Sequence, residues 1–308
     1  MFKQKIEMSG HFRLVTNGPE RGMLEQGSFD NLILDQGLER IGTGAPLGAC
    51  QVGSGTSAAS VTQSALDAFV AGTGSLIAQT NTFVTGATPY WSCTFTYRFA
   101  EGAAAGILAE VGMGWATTGS NLFSRARILD AGGNPTTITV LSSESLDVEY
   151  TLRFYIPLTD VTGSRMMFGV MTDYVVRATD VASGDLWSVS LLALGEPDNS
   201  AALLCYAAPS PLGTINQRPS GVYIGTQTSS SAEAYVGNSL RLVGNANLSL
   251  SDGNAAGGIG AAIFSVRRVY NGSFGSPAAF QVSFDPPVAK TSDYLATFRF
   301  AISWARKT

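Results

Sequence analysis

The sequence predicts an all-β protein built as two antiparallel β-sandwich, jelly-roll-like domains with one or two short accessory helices. Three observations predict it: apolar residues alternating with polar ones, turn chemistry between the alternating runs, and a composition rich in glycine and poor in charge. Alternation is the strongest, because a pleated strand sends successive side chains to opposite faces. Trp91, Cys93, Phe95, Tyr97 and Phe99 alternate with Ser92, Thr94, Thr96 and Arg98. Ile107, Ala109, Val111, Met113 and Trp115 form a second face, interleaved with Glu110, Gly112 and Gly114. A third joins Tyr150, Leu152, Phe154 and Ile156 against Glu149, Thr151 and Arg153. The longest places Tyr294, Ala296, Phe298, Phe300, Ile302 and Trp304 opposite Leu295, Thr297, Arg299 and Ser303. One buried and one wetted face per strand is the pattern of antiparallel sandwiches.

Asn17-Gly18-Pro19, residues 130–135, Asp252-Gly253 and Asn271-Gly272 supply the residues that tolerate or fix turn geometry between strands. Two segments favour helix. Asp35 is placed to cap a turn or two through Leu38 and Ile41, stopped by Gly42 and Gly44. Residues 62–69 put Leu66 and Phe69 on one helical face. A boundary is expected near residues 157–163, giving domains over 1–157 and 158–308, with the Ser/Thr-rich stretch 226–234 as an exposed loop of the second. Ile138 precedes Tyr150 by the same interval as Val282 precedes Tyr294. That spacing hints at internal duplication, although any two hairpins ending in aromatic strands would align as well.

With 308 residues the chain is long enough for two cores without staples. Only 14% of it is charged while 35 residues are glycine, so Ser, Thr, Asn and backbone must cover its surface, as in many extracellular, capsid and fibre proteins. Nineteen basic against twenty-three acidic residues, with no basic block to neutralise a run of phosphates, argue against a nucleic-acid partner. Cys50, Cys93 and Cys205 are odd in number and widely spaced, and read as buried small hydrophobes rather than a disulfide framework or metal site. The opening MFKQKIEMSGHF lacks the apolar core of a secretory signal. No stretch approaches the roughly 18 apolar residues of a spanning helix, so no membrane association is expected.

Catalytic chemistry is sparse. His11 is the one histidine, and no GxSxG nucleophile elbow accompanies it. Gly53-Ser54-Gly55-Thr56-Ser57-Ala58 superficially fits a dinucleotide loop, but the region around Thr73 offers no acid for a ribose, which leaves a Gly-Ser turn. Asp130, Glu144, Asp147 and Glu149 lie close in sequence and would have to converge across a cleft to hydrolyse a glycan. No Asp-rich calcium loop and no His/Cys cluster is present. No catalytic residue, cofactor or metal ligand is therefore expected. The sequons at Asn247 and Asn271 read as turn markers. Tyr223, Tyr235 and Tyr270 are the candidate interaction residues, as aromatics in a loop-rich region that would anchor a partner if exposed and pack a core if not.

A recurring word order adds to this. Phe12-Arg13-Leu14-Val15 followed by Phe29-Asp30-Asn31-Leu32-Ile33-Leu34-Asp35-Gln36-Gly37-Leu38 resembles the F-x-N-x-I-x-D-x-G-L opening of many tailed-bacteriophage tail, baseplate and fibre-associated structural proteins. Cys50-Gln51-Val52-Gly53-Ser54-Gly55-Thr56 resembles their VGTGT turn, and Thr62-Gln63-Ser64-Ala65-Leu66 follows it. Glu110-Val111-Gly112, Leu122-Phe123-Ser124-Arg125-Ala126 and Val148-Glu149-Tyr150-Thr151-Leu152-Arg153-Phe154 are similar to their later strands. The likeness spans residues 12–156; Val282 to Pro287 and Leu295 to Phe300 are similar in style alone. Physically, Asn31 suits a strand end, Gly37 a close approach, and Arg125 a pairing with Glu110.

The resemblance implies a building block: a virion structural protein of the tail, collar, baseplate or a fibre, assembled in the host cytoplasm. Its implied partners are other virion proteins and copies of itself, a trimer being the first expectation. The absence of heptads puts any self-association on the β-domains. Alternatives are a receptor-binding module for a host surface glycan or protein, a head decoration protein, and an enzyme degrading surface polysaccharide.

Overall fold

A computed structural model describes residues 1–84, 86–155, 157–178, 201–215, 217–266 and 280–307. Strands take up 56% of the chain and helix 3%, which makes the protein all-β. Its contacts divide into two compact units. One comprises Met8–Thr85, Tyr90–Phe154 and Arg306–Thr308, and is called N-terminal below. The other, C-terminal, comprises Met1–Glu7, Gly86–Pro89 and Tyr155–Ala305.

The N-terminal unit uses β1 (Phe2–Gly18), from Met8 onward, then β2 (Gly22–Asp30), β3 (Leu32–Ile33), α1 (Asp35–Thr43), β4 (Ala49–Gly53), β5 (Phe69–Thr73) and β6 (Leu76–Val84). There follow β7 (Tyr90–Phe99), β8 (Gly106–Leu108), β9 (Glu110–Gly114), β10 (Leu122–Arg127), β11 (Ile138–Val140) and β12 (Ser145–Tyr155). One sheet runs β1-β12-β7-β6, with β2 also paired to β1; a second runs β3-β10-β9-β4-β5; β8 and β11 pair separately. The sheets meet around Asn31, whose amide donates to Ser124 Oγ of β10 at 3.0 Å. A Cβ on Gly10 of β1 would stand 2.5 Å from both the Asn31 amide and the Tyr150 hydroxyl of β12, so glycine is what lets these groups meet. Gly37 likewise lets α1 lie on β10, since its Cβ would stand 2.7 Å from Phe123 Cα.

The alternating faces of β7 and β12 are buried as their patterns predict, Ile156 at the end of the latter lying outside the described residues. The second predicted face is split in two. Ile107 on β8 is 62% exposed, while all of β9 is buried, Glu110 included, because residues 55–68 fold over the Glu110 face and donate to its carboxylate. The helix expected over residues 62–69 does not form: Phe69 opens β5, and Gln63 and Asp67 turn toward Arg125 instead. In α1, Leu34 holds the capping position without a side-chain cap, and Asp35 lies in the first turn, where its charge suits the helix N-terminus.

The C-terminal unit holds β13 (Val161–Met167), β14 (Val170–Ala178), β15 (Ala201–Ala207), β16 (Tyr223–Thr226) and β17 (Ser229–Ala232). It continues with β18 (Arg241–Leu248), β19 (Ile259–Val266), β20 (Phe280–Val288) and β21 (Ala296–Arg306). One sheet runs β13-β14-β20-β19-β15-β16, and β17, β18, β21 and the start of β1 are neighbours in another. Aromatic rings join the two layers: Phe264 meets Phe300 at 4.5 Å, Phe284 meets Phe298 at 5.8 Å, and Phe2 meets Tyr174 at 5.0 Å. Such pairs add about 0.5–1.5 kcal/mol each beyond their buried area.

Ala296, Phe298, Phe300, Ile302 and Trp304 are buried on β21, but Tyr294 precedes the strand and is exposed. Tyr150, its supposed counterpart, sits inside β12, so the two tyrosines are not equivalent and the duplication reading loses its anchor. The Ser/Thr-rich stretch is not simply a loop, since Ser229–Ala232 pairs with β18. Asn247 also lies in β18 rather than a turn, and Asn271 is outside the described residues. The three cysteines are buried and free of disulfides. Among the described residues no helix is long and apolar enough to cross a membrane.

Candidate functional site

Tyr206 of β15 and Tyr223 of β16 are cross-strand partners, their rings edge-to-face at 6.4 Å. With Leu204, Arg218 and Pro219 they line an open depression of about 440 Å³ in the C-terminal unit. Tyr206 is buried and Tyr223 is 52% exposed, so one ring forms the floor and the other the wall. Burial pushes the pKa of both phenols up, which keeps them protonated and able to donate. The Arg218 guanidinium nearby opposes that rise at Tyr206.

Arg218 and Pro219 come from the connection between β15 and β16, and a buried amide fixes that connection. Gln281 of β20 accepts from the Gly213 amide at 2.9 Å and donates to the carbonyls of Gly213, Thr214 and Gln217 at 3.1, 3.2 and 3.3 Å. Arg177, opposite Gln281 in the β14–β20 register, donates to the same Gly213 carbonyl at 3.0 Å while it chelates Asp160. A Cβ on Gly213 would stand 2.5 Å from the Gln217 and Arg218 carbonyl oxygens. The rim is thus set before any ligand arrives, which lowers the ordering cost of binding. Its chemistry suits a ring with an apolar face and an acidic substituent: aromatic faces for C–H groups, a guanidinium for the anion.

Of the predicted interaction residues, Tyr223 therefore lies in this depression. Tyr235 does not: it is half-buried and stacked on Trp304 at 6.1 Å, and its hydroxyl accepts from the Leu240 amide at 3.3 Å. Tyr270 lies outside the described residues.

The other polar clusters tie the fold to itself. Arg125, fully buried, donates to Glu110 Oε2 and Asp67 Oδ2 at 2.8 Å, to Gln63 Oε1 at 2.9 Å and to the Ser57 carbonyl at 3.2 Å. Glu110, equally buried, accepts from the amides of Gly55, Asp67 and Ala68 at 3.0, 3.1 and 2.8 Å. Hydrogen bonding from Ser57, with Arg125 alongside, holds the Asp67 carboxyl below the usual carboxylate range. The Gly-Ser turn is the lid of this cluster. A methyl group on Gly53 would stand 2.6 Å from Glu110 Oε1. The four weighed carboxylates do not converge. Glu144 pairs with Arg21, Asp147 with Arg98 and Glu149 with Arg13, while Asp130 caps its own turn.

His11 lies between Asp30, whose Oδ1 is 2.8 Å from Nδ1, and Ser28, whose Oγ is 2.9 Å from Nε2. This is the connectivity of a hydrolytic triad. However, Ser28 sits within β2 paired with Arg13 rather than on a sharp turn, and the Asp30 side chain is 76% exposed. An exposed orienting carboxylate and a strand-bound serine are poor substitutes for a buried acid and free oxyanion donors. Among the described residues no group of three or more His, Cys, Asp or Glu side chains is placed to hold a metal.

Sequence reasoning missed two features. Gln281 looked like an ordinary polar position of an alternating strand. At the β13–β14 turn, Phe168 takes φ of 49° beside Gly169 and stands exposed with Met166, Val170 and Met171. The apolar run from Met166 to Met171, interrupted by Gly169 alone, was the available signal. In comparisons with known proteins, no family model, curated protein or solved structure matches the chain.

Proposed function

We propose that the chain is a non-enzymatic structural component of a tailed-phage virion, in the tail, collar, baseplate or a fibre, working by self-assembly and docking to other virion proteins. One observation carries the reading. The words of the resemblance lead to interlocking structural contacts: Asn31 to Ser124, Gly37 to Phe123, Gly53 and Gly55 to Glu110, and Arg125 to Glu110. Residues used this way hold a scaffold. The exposed apolar side chains of the β13–β14 turn supply surface for a neighbour. The test is to identify the chain in purified phage particles and locate it by imaging labelled copies. A fixed position at the tail supports the reading, a position on the head surface replaces it with a decoration role, and absence from particles overturns it.

A second reading, a receptor-binding module, is favoured by the preformed Tyr206–Tyr223–Arg218 depression. Titration of the chain with acidic host-surface oligosaccharides tests it. Binding that Tyr223→Ala weakens roughly tenfold, about 1.4 kcal/mol, supports it; no binding to any of them ends it.

A further inference from the structure

The edges of the sheets differ in how they are protected. An exposed strand edge is a template for another chain, and proteins ordinarily blunt it with charge, shortness or a bulge. Among the described strands, β3, β16 and β17 are edges of two to four residues. The longer edge β13 carries Arg165, and β2 carries Glu25 and Asp30. β6 is different. It has nine residues, ends its sheet with β7 as its one neighbour among the described strands, and carries no charge. The sequence holds no charged residue between Asp67 and Arg98.

β6 also lacks a buried face over its first half, for Leu76, Ile77, Ala78, Gln79 and Thr80 are all exposed. A strand normally buries at least one face. A bulge at Ile77 displaces the start, and from Ala78 to Val84 the register with β7 is unbroken, leaving roughly 23 Å of regular edge. Gly74-Ser75 joins β6 to β5, itself the edge of the second sheet, where Phe69 and Val70 are exposed. Both strands of this connection thus present uncharged edges, and the start of β6 adds two large exposed apolar side chains, Leu76 and Ile77.

We propose that the β6 edge is a homotypic interface, in which β6 pairs antiparallel with β6 of a second copy about a two-fold axis, with Leu76 and Ile77 covered beside it. Charge selects the occupant. A two-fold axis sets each residue of an edge against the same strand of its twin, so any charge near the axis meets its like; an edge without charge meets no repulsion. A charged partner would find no counter-charge here. The inference rests on the self-assembly part of the function proposed above, and gives that assembly a two-fold contact.

Sedimentation equilibrium of the full chain tests it. The expected result is reversible, concentration-dependent dimerisation. Ala78→Lys/Thr80→Lys weakens it at least tenfold, and mixing that variant with Ala78→Glu/Thr80→Glu restores association. Should the double variant lose its β-sheet circular dichroism, the single Thr80→Lys variant carries the same comparison. A chain that stays monomeric at every concentration, or a dimer indifferent to the lysines, overturns the proposal. Either result leaves the location in the particle, and hence the structural reading, to be decided by imaging.

Discussion

Arg125 with Glu110 in the N-terminal unit, and Arg299 with Glu233 in the C-terminal unit, are the same two side chains in contact, with opposite surroundings. The exposed pair has the better fork geometry. Arg299 Nε and Nη2 reach the two Glu233 oxygens at 2.5 and 2.7 Å, whereas Arg125 gives Glu110 one bond of 2.8 Å. Yet both buried side chains are wholly withdrawn from water, while Arg299 and Glu233 are 49% and 36% exposed. Geometry alone would rank the pairs one way and environment the other. Environment should win, because a buried charge that loses its partner has no water to replace it, and an exposed one does.

The largest effect should therefore come from Glu110→Ala. It removes the partner of a buried guanidinium and strands the amides of Gly55, Asp67 and Ala68. A loss of about 3–5 kcal/mol is expected, read from the urea midpoint. Glu110→Gln keeps the shape and one carbonyl acceptor, so it should recover part of that loss. An alanine variant that unfolds like the parent would remove the cluster from its structural role.

Next in size is Gly53→Ala. The added methyl group would press on the Ala68 carbonyl oxygen at 2.5 Å and on Glu110 at 2.6 Å. Overpacking of this kind costs about 1–3 kcal/mol. The same change at Gly133, where a Cβ meets nothing, leaves only the positive-φ penalty and serves as the control. A Gly53→Ala variant as stable as the parent would show that the cluster accommodates the methyl group and does not depend on the close approach of this turn.

These residues show where the sequence was readable. The strands carrying Phe95, Phe154 and Phe300 were legible because alternation is local, and so was the Arg125–Glu110 pairing, which joins neighbouring strands. The closure of that cluster was not. Gln63 and Asp67 arrive from a distant loop, and the apolar spacing of Leu66 and Phe69 within it imitates a helix. Burial of both faces of β9 was equally hidden, since the loop that covers Glu110 leaves no mark on the strand's own alternation. Tyr223 and Tyr235 looked alike for the same reason: what separates them is Trp304, contributed by another strand.

The smallest effect should come from Arg299→Ala, and its pH and salt dependence make the contrast sharpest. Arg299 holds the Glu233 carboxyl below the usual glutamate range, first by hydrogen bonding and then by charge. A carboxyl depressed on folding stabilises the native state above its unfolded pKa of about 4.3 and loses that contribution as pH falls through the folded value. The difference between parent and Arg299→Ala should therefore be present at neutral pH, shrink in acid below the ordinary glutamate range, and be erased by molar salt, because solvent and ions reach both groups. The Glu110→Ala loss should persist in molar salt, since ions do not enter that cluster. Parallel urea titrations of the two variants at low and high salt make the measurement. A salt-resistant Arg299 effect would mean that fork geometry, and not burial, governs these pairs.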